Sequence, residues 1–381
     1  MTAIKTVIVG GSNTVMSPGY MPSLFSLLTR RGFTVDVVED LAVGGTTSAF
    51  GLFQLKKTDI LENCDLLIIE YAINDSFIYG EERSPFRHWA RFYEGMLRYA
   101  LQRNPRLKIV SVIFGARKGS FMTSVPSIDA GIHYISDWYG MSVINISRSL
   151  IQRYGREVVE HPSFYLDGAH YARPVATTII ANLIAEELEG CLRRPHSAGS
   201  LPPPIDPHNF SSASILEAGV LRENLGFARV DYKNRRFGVS AANLGESRLR
   251  LEIDNGRPLA LVYVCEPQIV PLEISIADNA IRCALLKGGV RDGTFKFLMA
   301  MLSCEFLYAS TLLQEPNRFS CCISAAKAEG NYRDHLPKDN VSHKAAGNGM
   351  PVVPIVGLLH TGKLRSCTAE RVELAQGLAE A

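Results

Sequence analysis

The chain has no long run of charge of one sign: 40 Lys and Arg stand against 38 Asp and Glu in 381 residues, a formal net charge of +2. That balance gives no electrostatic reason for a nucleic-acid or acidic partner. No stretch approaches the roughly 20 apolar residues that a membrane span requires. The N-terminus, MTAIKTVIVGG, breaks its short apolar run at Gly10 and lacks a small-residue cleavage site. It reads as a first strand and not as a signal peptide, so a cytoplasmic location is expected. There is no internal repeat, no low-complexity tract and no C-x-x-C pair. The eight cysteines (Cys64, Cys191, Cys265, Cys283, Cys304, Cys321, Cys322, Cys367) are spread widely and read as reduced, mostly buried thiols. A disulfide framework or zinc site is excluded on that reading, and the adjacent Cys321-Cys322 has no role in it. His335 and His343 lie in a stretch from Glu329 to Asn348 that reads as a long loop, at a spacing that fits no metal motif.

What is present is the composition of a soluble globular protein, 46% hydrophobic and 20% charged, long enough for two domains. Residues 1–192 alternate strand-like and helix-like segments. KTVIVG, FTVDVVED, DLLIIEY, LKIVSVIFG and MSVINIS read as strands. Helical patterns lie between them, notably Met21–Arg31 and Ser84–Arg103, and a last one runs from Arg173 to Leu192. Continuous apolar strands separated by helices predict a doubly wound α/β domain around a five-stranded parallel sheet. Residues 193–212, RRPHSAGSLPPPIDPHNFSS, are rich in Pro and Ser without periodicity and predict an exposed interdomain linker. From residue 213 to 381 the pattern changes class. SRLRLEIDNGRPLALVYV alternates, turns at Asn255-Gly256 and runs on, which is a hairpin signal. A second, β-rich domain of sandwich or jelly-roll type is expected there.

Four short stretches in the first half carry groups suited to chemistry. GGSN follows the first strand with Ser12, and LAVGGTTSAF follows the second with Gly44 and Gly45. EYAINDS follows the third with Asn74 and Asp75, and DGAH precedes the last helix with Asp167 and His170. In an open α/β sheet, ligands bind outside the carboxyl ends of the strands, where the first three would lie. Together they supply a hydroxyl, an approachable backbone N–H, a side-chain amide, an imidazole and a carboxylate. Acyl transfer needs that set. A serine needs a base to take its proton, the base needs a carboxylate to hold its tautomer, and the oxyanion needs preorganised donors.

The ordered set Ser12, Gly45, Asn74 and His170, with Asp167 three residues before the histidine, resembles the SGNH (GDSL-type) hydrolases over residues 5–192. The resemblance implies Ser12 as nucleophile, His170 as base and Asp167 as its orienting partner. It implies an oxyanion hole made by the Ser12 and Gly45 N–H groups and the Asn74 amide, and GTTS at 45–48 selects Gly45 over Gly44. The family comprises esterases, lipases, thioesterases, carbohydrate deacetylases and some O-acyltransferases, generally without a metal, so neither metal nor other cofactor is expected. Two positions depart from its pattern. Gly-Asp-Ser is here Gly10-Gly11-Ser12, which removes an acid that helps hold the nucleophile loop. Gly-x-Asn-Asp is Ala72-Ile73-Asn74-Asp75.

Around this set, Asn13 is a candidate for the substrate pocket, Asp75 a support for Asn74 or its loop, and Tyr71, Phe77 and Tyr79 packing residues. His161 is the rival base, without the three-residue spacing to an aspartate. The reading is a serine esterase that removes a short acyl group, acetyl above all, with an acylated small molecule or glycan as substrate. Two others stay open: a carbohydrate O-acyltransferase with the same triad, and a non-catalytic glycan-binding or assembly protein with a relic site.

Overall fold

Val7, Ile8 and Val9 leave the first strand no polar face, so it has to be covered on both sides. The computed structural model describes residues 3–79, 86–117, 126–195, 200–276, 279–305, 317–326, 340–341 and 351–371. The chain divides into two units, residues 1–212 and 213–381. In the first, the order is β1 (Ile4–Gly10), α1 (Ser12–Val15), α2 (Tyr20–Arg30), β2 (Val35–Asp40), α3 (Ser48–Lys56), β3 (Leu66–Glu70), α4 (Ala72–Tyr79) and α5 (Phe86–Arg103). There follow β4 (Lys108–Ile113), α6 (Ser127–Trp138), β5 (Ser142–Asn145), α7 (Ile146–Tyr154), α8 (Arg156–Glu160) and α9 (Val175–Arg193).

The five strands pair in parallel in the order β2-β1-β3-β4-β5. Ile8, Ile68, Val110 and Ile144 share one core cluster with Leu24 and Leu28 of α2 and Ala181, Ile184 and Leu188 of α9. Their neighbours Val7, Leu67 and Ile109 point to the other face by strand alternation. The α/β expectation holds, with one difference of degree. β2 carries Asp36 and Glu39 and is half-exposed, because it is the edge strand.

The strand order determines where a site can lie. After β1 the chain turns outward to β2, then returns across β1 to β3, so the order reverses between β1 and β3. Crossover connections diverge there and leave a crevice at the carboxyl ends.

Residues 201–212 differ from the exposed linker expected of their Pro and Ser content. Phe210 is buried against Phe92 and His88 of α5. The buried Glu94 carboxylate accepts from the Ile205 and Asp206 N–H groups at 2.6 and 3.0 Å. Arg98 donates to the Pro202 carbonyl, Trp138 to that of Pro203, and Lys56 to that of Ser211. The composition misleads because proline leaves carbonyls without ladder partners, and here long side chains of the helical layer satisfy them. Burying Phe210 alone contributes about 1.5–3 kcal/mol to holding the segment.

The second unit runs β6 (Ser214–Glu217), α10 (Ala218–Leu225), β7 (Ala228–Lys233), β8 (Gly238–Asn243), β9 (Ser247–Asp254), β10 (Pro258–Cys265), β11 (Leu272–Ile276) and β12 (Asn279–Cys283). It continues with α11 (Gly288–Arg291), β13 (Leu298–Ser303), β14 (Arg318–Ala325), β15 (Pro354–His360) and β16 (Lys363–Arg371). Two antiparallel sheets, β13-β10-β15-β8-β7 with β6 on β15, and β12-β11-β14-β9-β16, enclose one apolar core. The β-sandwich is as expected. The hairpin at Asn255-Gly256 is not: β9 pairs with β14 and β16, whereas β10 pairs with β13 and β15. Asn255 does take the left-handed φ of 50° that the turn signal implies. The turn, however, passes from one sheet to the other. The β15-to-β16 corner crosses beside it, with the Thr361 N–H on the Arg257 carbonyl at 2.9 Å. The eight residues of β10 are all buried, which suits the middle of a covered sheet better than a hairpin arm.

All eight cysteines are unbridged and six of them are buried. Cys321 and Cys322 fall on opposite faces of β14: the first joins the core and the second is half-exposed. The stretch Glu329–Asn348, with His335 and His343, lies outside the described residues apart from Asn340 and Val341. No helix among the described residues is long and apolar enough to cross a membrane.

Candidate active site

Ser12 is the first residue of α1, immediately beyond the end of β1, and Asn74 lies in the first turn of α4 beyond β3. Both therefore flank the crevice that the strand order creates. The third stretch follows its strand as expected, and α4 starts at Ala72, two residues after the strand ends. The short connection brings the Asn74 amide against the serine turn. A Cβ on Gly11 would stand 2.5 Å from Asn74 Nδ2. A side chain at this position would displace that amide from its place against the serine turn.

The histidine loop reaches the same edge by its own hydrogen bonds. Tyr165 and Tyr171 form an isolated bridge that closes the D-G-A-H segment. The Tyr171 hydroxyl donates to the Gly115 carbonyl just beyond β4, and the Arg117 N–H donates to the Gly168 carbonyl. His170 Nε2 stands 2.8 Å from Ser12 Oγ, and His170 Nδ1 stands 2.7 Å from Asp167 Oδ2. Asp167 Oδ1 accepts from the Ala169 and His170 N–H groups at 2.8 and 2.9 Å. Partial burial works to raise the Asp167 carboxyl, but the Ala169 N–H and the His170 ring outweigh it, leaving it below the usual carboxylate range. The carboxylate is thus ready to hold the ring with Nδ1 protonated and Nε2 free to accept.

The glycine loop lies alongside. Its Val43 N–H is bonded to the Gly10 carbonyl at 2.9 Å and its Thr46 hydroxyl to the Val43 carbonyl at 2.7 Å. Gly45 has φ +75°, and nothing lies within 4 Å of where its Cβ would be. Backbone conformation, and not crowding, requires glycine there. The Asn74 amide donates one hydrogen to the Thr46 carbonyl at 2.6 Å, leaving the other for a ligand. Asp75 is fully buried and accepts from the Ser48 N–H at 2.9 Å and from Trp89 Nε1 at 2.8 Å. It ties the start of α3, and with it the glycine loop, to α4. Burial pushes its carboxyl up to about 7 against those two hydrogen bonds.

Other expected residues take roles different from chemistry at Ser12 Oγ. The His161 ring caps the turn at Pro162–Phe164 and its Nδ1 is engaged with Ser163, so it has the structural role and not that of a base beside Ser12. Asn13, expected to line the pocket, is only 7% exposed, and its amide donates to the Ala169 carbonyl at 3.1 Å. Tyr71 and Tyr79 are buried and Phe77 is exposed.

Glu70 was overlooked in the sequence. It is buried at the end of β3, directly beneath the serine turn, and its carboxylate accepts from Thr14 Oγ1 at 2.8 Å. Tyr20 Oη lies 3.1 Å from the same hydroxyl. An acid closing the apolar run DLLIIE was the available signal, since a buried carboxylate needs a specific partner. Burial first, countered by hydrogen bonds from Thr14 and Gly11, pushes Glu70 from 4.5 up to about 8. Across that interval the folded chain keeps a proton that the unfolded chain has released. The contribution of Glu70 to stability therefore falls as pH rises from about 4.5 to about 8, and buried Asp75, raised to about 7, acts in the same sense. Thermal melts should show a lower Tm at pH 8 than at pH 5.5, and Glu70→Gln should reduce that slope while leaving the part due to Asp75 and Asp129. An unchanged slope in Glu70→Gln would assign the pH dependence to other groups.

No protein-family model and no curated protein matches the sequence. Solved structures do match the fold. A crystal structure of a two-domain esterase active on acetylated mannans, co-crystallised with mannopentaose, is 17% identical with a TM-score of 0.64, over 95% of this chain and 91% of that one. A second structure of a two-domain esterase active on acetylated mannans gives 15% identity and a TM-score of 0.65, over 95% and 92%. The likeness spans both the α/β unit and the β-sandwich.

Proposed function

We propose that the chain is a serine esterase of the SGNH type that removes a short acyl group, acetyl above all, from a carbohydrate ester. The observation that carries this is the continuous relay from Ser12 Oγ to His170 Nε2 at 2.8 Å and from His170 Nδ1 to Asp167 Oδ2 at 2.7 Å. Ser12 attacks the ester carbonyl while His170 takes its proton. The imidazolium, stabilised by Asp167, then returns that proton to the departing sugar hydroxyl. Water repeats the sequence on the acyl-enzyme and releases the acid. The oxyanion formed at each attack is met by the N–H groups of Ser12 and Gly45 and by the second hydrogen of the Asn74 amide.

Support for a carbohydrate comes from the fold shared with an esterase active on acetylated mannans, which is an argument from analogy. The test has two arms. A fluorophosphonate should form an adduct on Ser12, and the protein should release acetate from an aryl acetate and from an acetylated oligosaccharide. Transfer of acetyl to an added sugar acceptor in place of acetate release would identify an acyltransferase. A folded protein with no adduct and no turnover would point to the non-catalytic reading.

A further inference from the structure

The serine turn and the histidine loop are anchored on different strands. The serine turn rests on β3, with the Gly11 N–H on the Glu70 carbonyl at 2.8 Å and the Thr14 hydroxyl on the Glu70 carboxylate. The histidine loop rests on residues beyond β4, through Tyr171 to Gly115 and Gly168 to Arg117. Neither anchor by itself sets the distance between Ser12 Oγ and His170 Nε2. Two side chains cross between the loops in opposite directions. The Asn13 amide donates to the Ala169 carbonyl at 3.1 Å, and Arg173 Nη1 donates to the Ser17 carbonyl at 3.0 Å. One crossing starts one residue after the serine and ends one residue before the histidine. The other starts three residues after the histidine and ends five after the serine.

We propose that Asn13, backed by Arg173, is a positioning residue that sets the Ser12–His170 separation by stitching these two loops together; this deepens the esterase reading and rests on it. The contributions are unequal. Asn13 is 7% exposed, so its bond is shielded from water, whereas the Arg173 bond is exposed and competes with solvent. A misplacement of about 1 Å between reacting groups can cost on the order of 10²-fold in rate. Asn13 should therefore carry most of the effect.

The test uses Asn13→Ala, Asn13→Asp and Arg173→Met in the full chain, read by aryl-acetate kinetics and by hydrogen exchange of peptides from both loops. Asn13→Asp keeps the shape but sets a carboxylate against the Ala169 carbonyl, so it should be the worst. Expected losses in kcat are about 30–100-fold for Asn13→Asp, about 10-fold for Asn13→Ala and about 2–5-fold for Arg173→Met, each with KM within twofold of wild type. Exchange should rise in the opposite loop: around residues 166–172 for the Asn13 variants and around 12–18 for Arg173→Met. A packing role alone would leave the near-isosteric Asn13→Asp close to wild type and confine faster exchange to its own loop. That result, or unchanged exchange in the opposite loop, overturns the proposal. If the wild-type protein shows no turnover, the esterase reading fails and the exchange arm still decides whether the loops are stitched.

Discussion

Ser12→Ala is expected to lower kcat on an aryl acetate by about 10⁵–10⁶, the cost typical of removing the nucleophile from a triad that acts as a unit. Ser12 is half-buried at the start of α1, with its Oγ set on His170 Nε2. Its loss should leave the melting temperature close to that of the wild type. What remains should be weak catalysis from the Gly45 and Asn74 donors acting on water, since triad variants keep a residual rate over the uncatalysed reaction. The fluorophosphonate adduct should vanish as well. Turnover within tenfold of wild type would remove Ser12 from the chemistry, whatever its distance to His170.

Asp167→Asn should cost about 10³–10⁴ in kcat with KM little changed, and the reason is local. The Oδ1 position accepts from two backbone N–H groups, those of Ala169 and His170. An asparagine keeps its carbonyl oxygen there and so turns its NH₂ toward His170 Nδ1. That nitrogen must then accept, which places the ring proton on Nε2, facing Ser12 with a donor where a base is needed. Asp167 is 52% exposed, so water screens its charge and its field counts for less than its geometry. Asp167→Ala, which lets the ring choose its tautomer, should therefore be less damaging than Asp167→Asn. Equal losses in the two variants would show that the charge matters and the tautomer does not.

The β/α alternation and the sheet it builds were legible in the sequence because they rest on short-range pattern, whereas Ser12, Gly45, Asn74, Asp167 and His170 were singled out by the resemblance to the SGNH hydrolases. An apolar run bounded by glycine forms a covered strand wherever it lies, and three residues between Asp167 and His170 place carboxylate and ring within reach of one another. The β-rich second unit was legible through short-range pattern as well, in the alternation of β9 and the apolar strand-like runs that follow it.

Other features depend on what the tertiary structure brings alongside, which no local pattern encodes. The Asn255-Gly256 turn has the dihedral its residues favour, yet the pairing of β9 with β14 and β16 decides that it is a corner between sheets. The Pro-rich segment is held because Glu94, Arg98, Trp138 and Lys56 stand where its backbone groups need partners. Asn13 has the composition of a pocket residue and becomes a bridge because Ala169, 156 positions away, offers it a carbonyl. Glu70 gains its meaning from Thr14 and Tyr20 above it. Local periodicity determined which elements form and which groups stand at their ends. Only the packing of distant segments decided which hydrogen bonds those groups make, because a polar group removed from water takes the partner that the fold supplies.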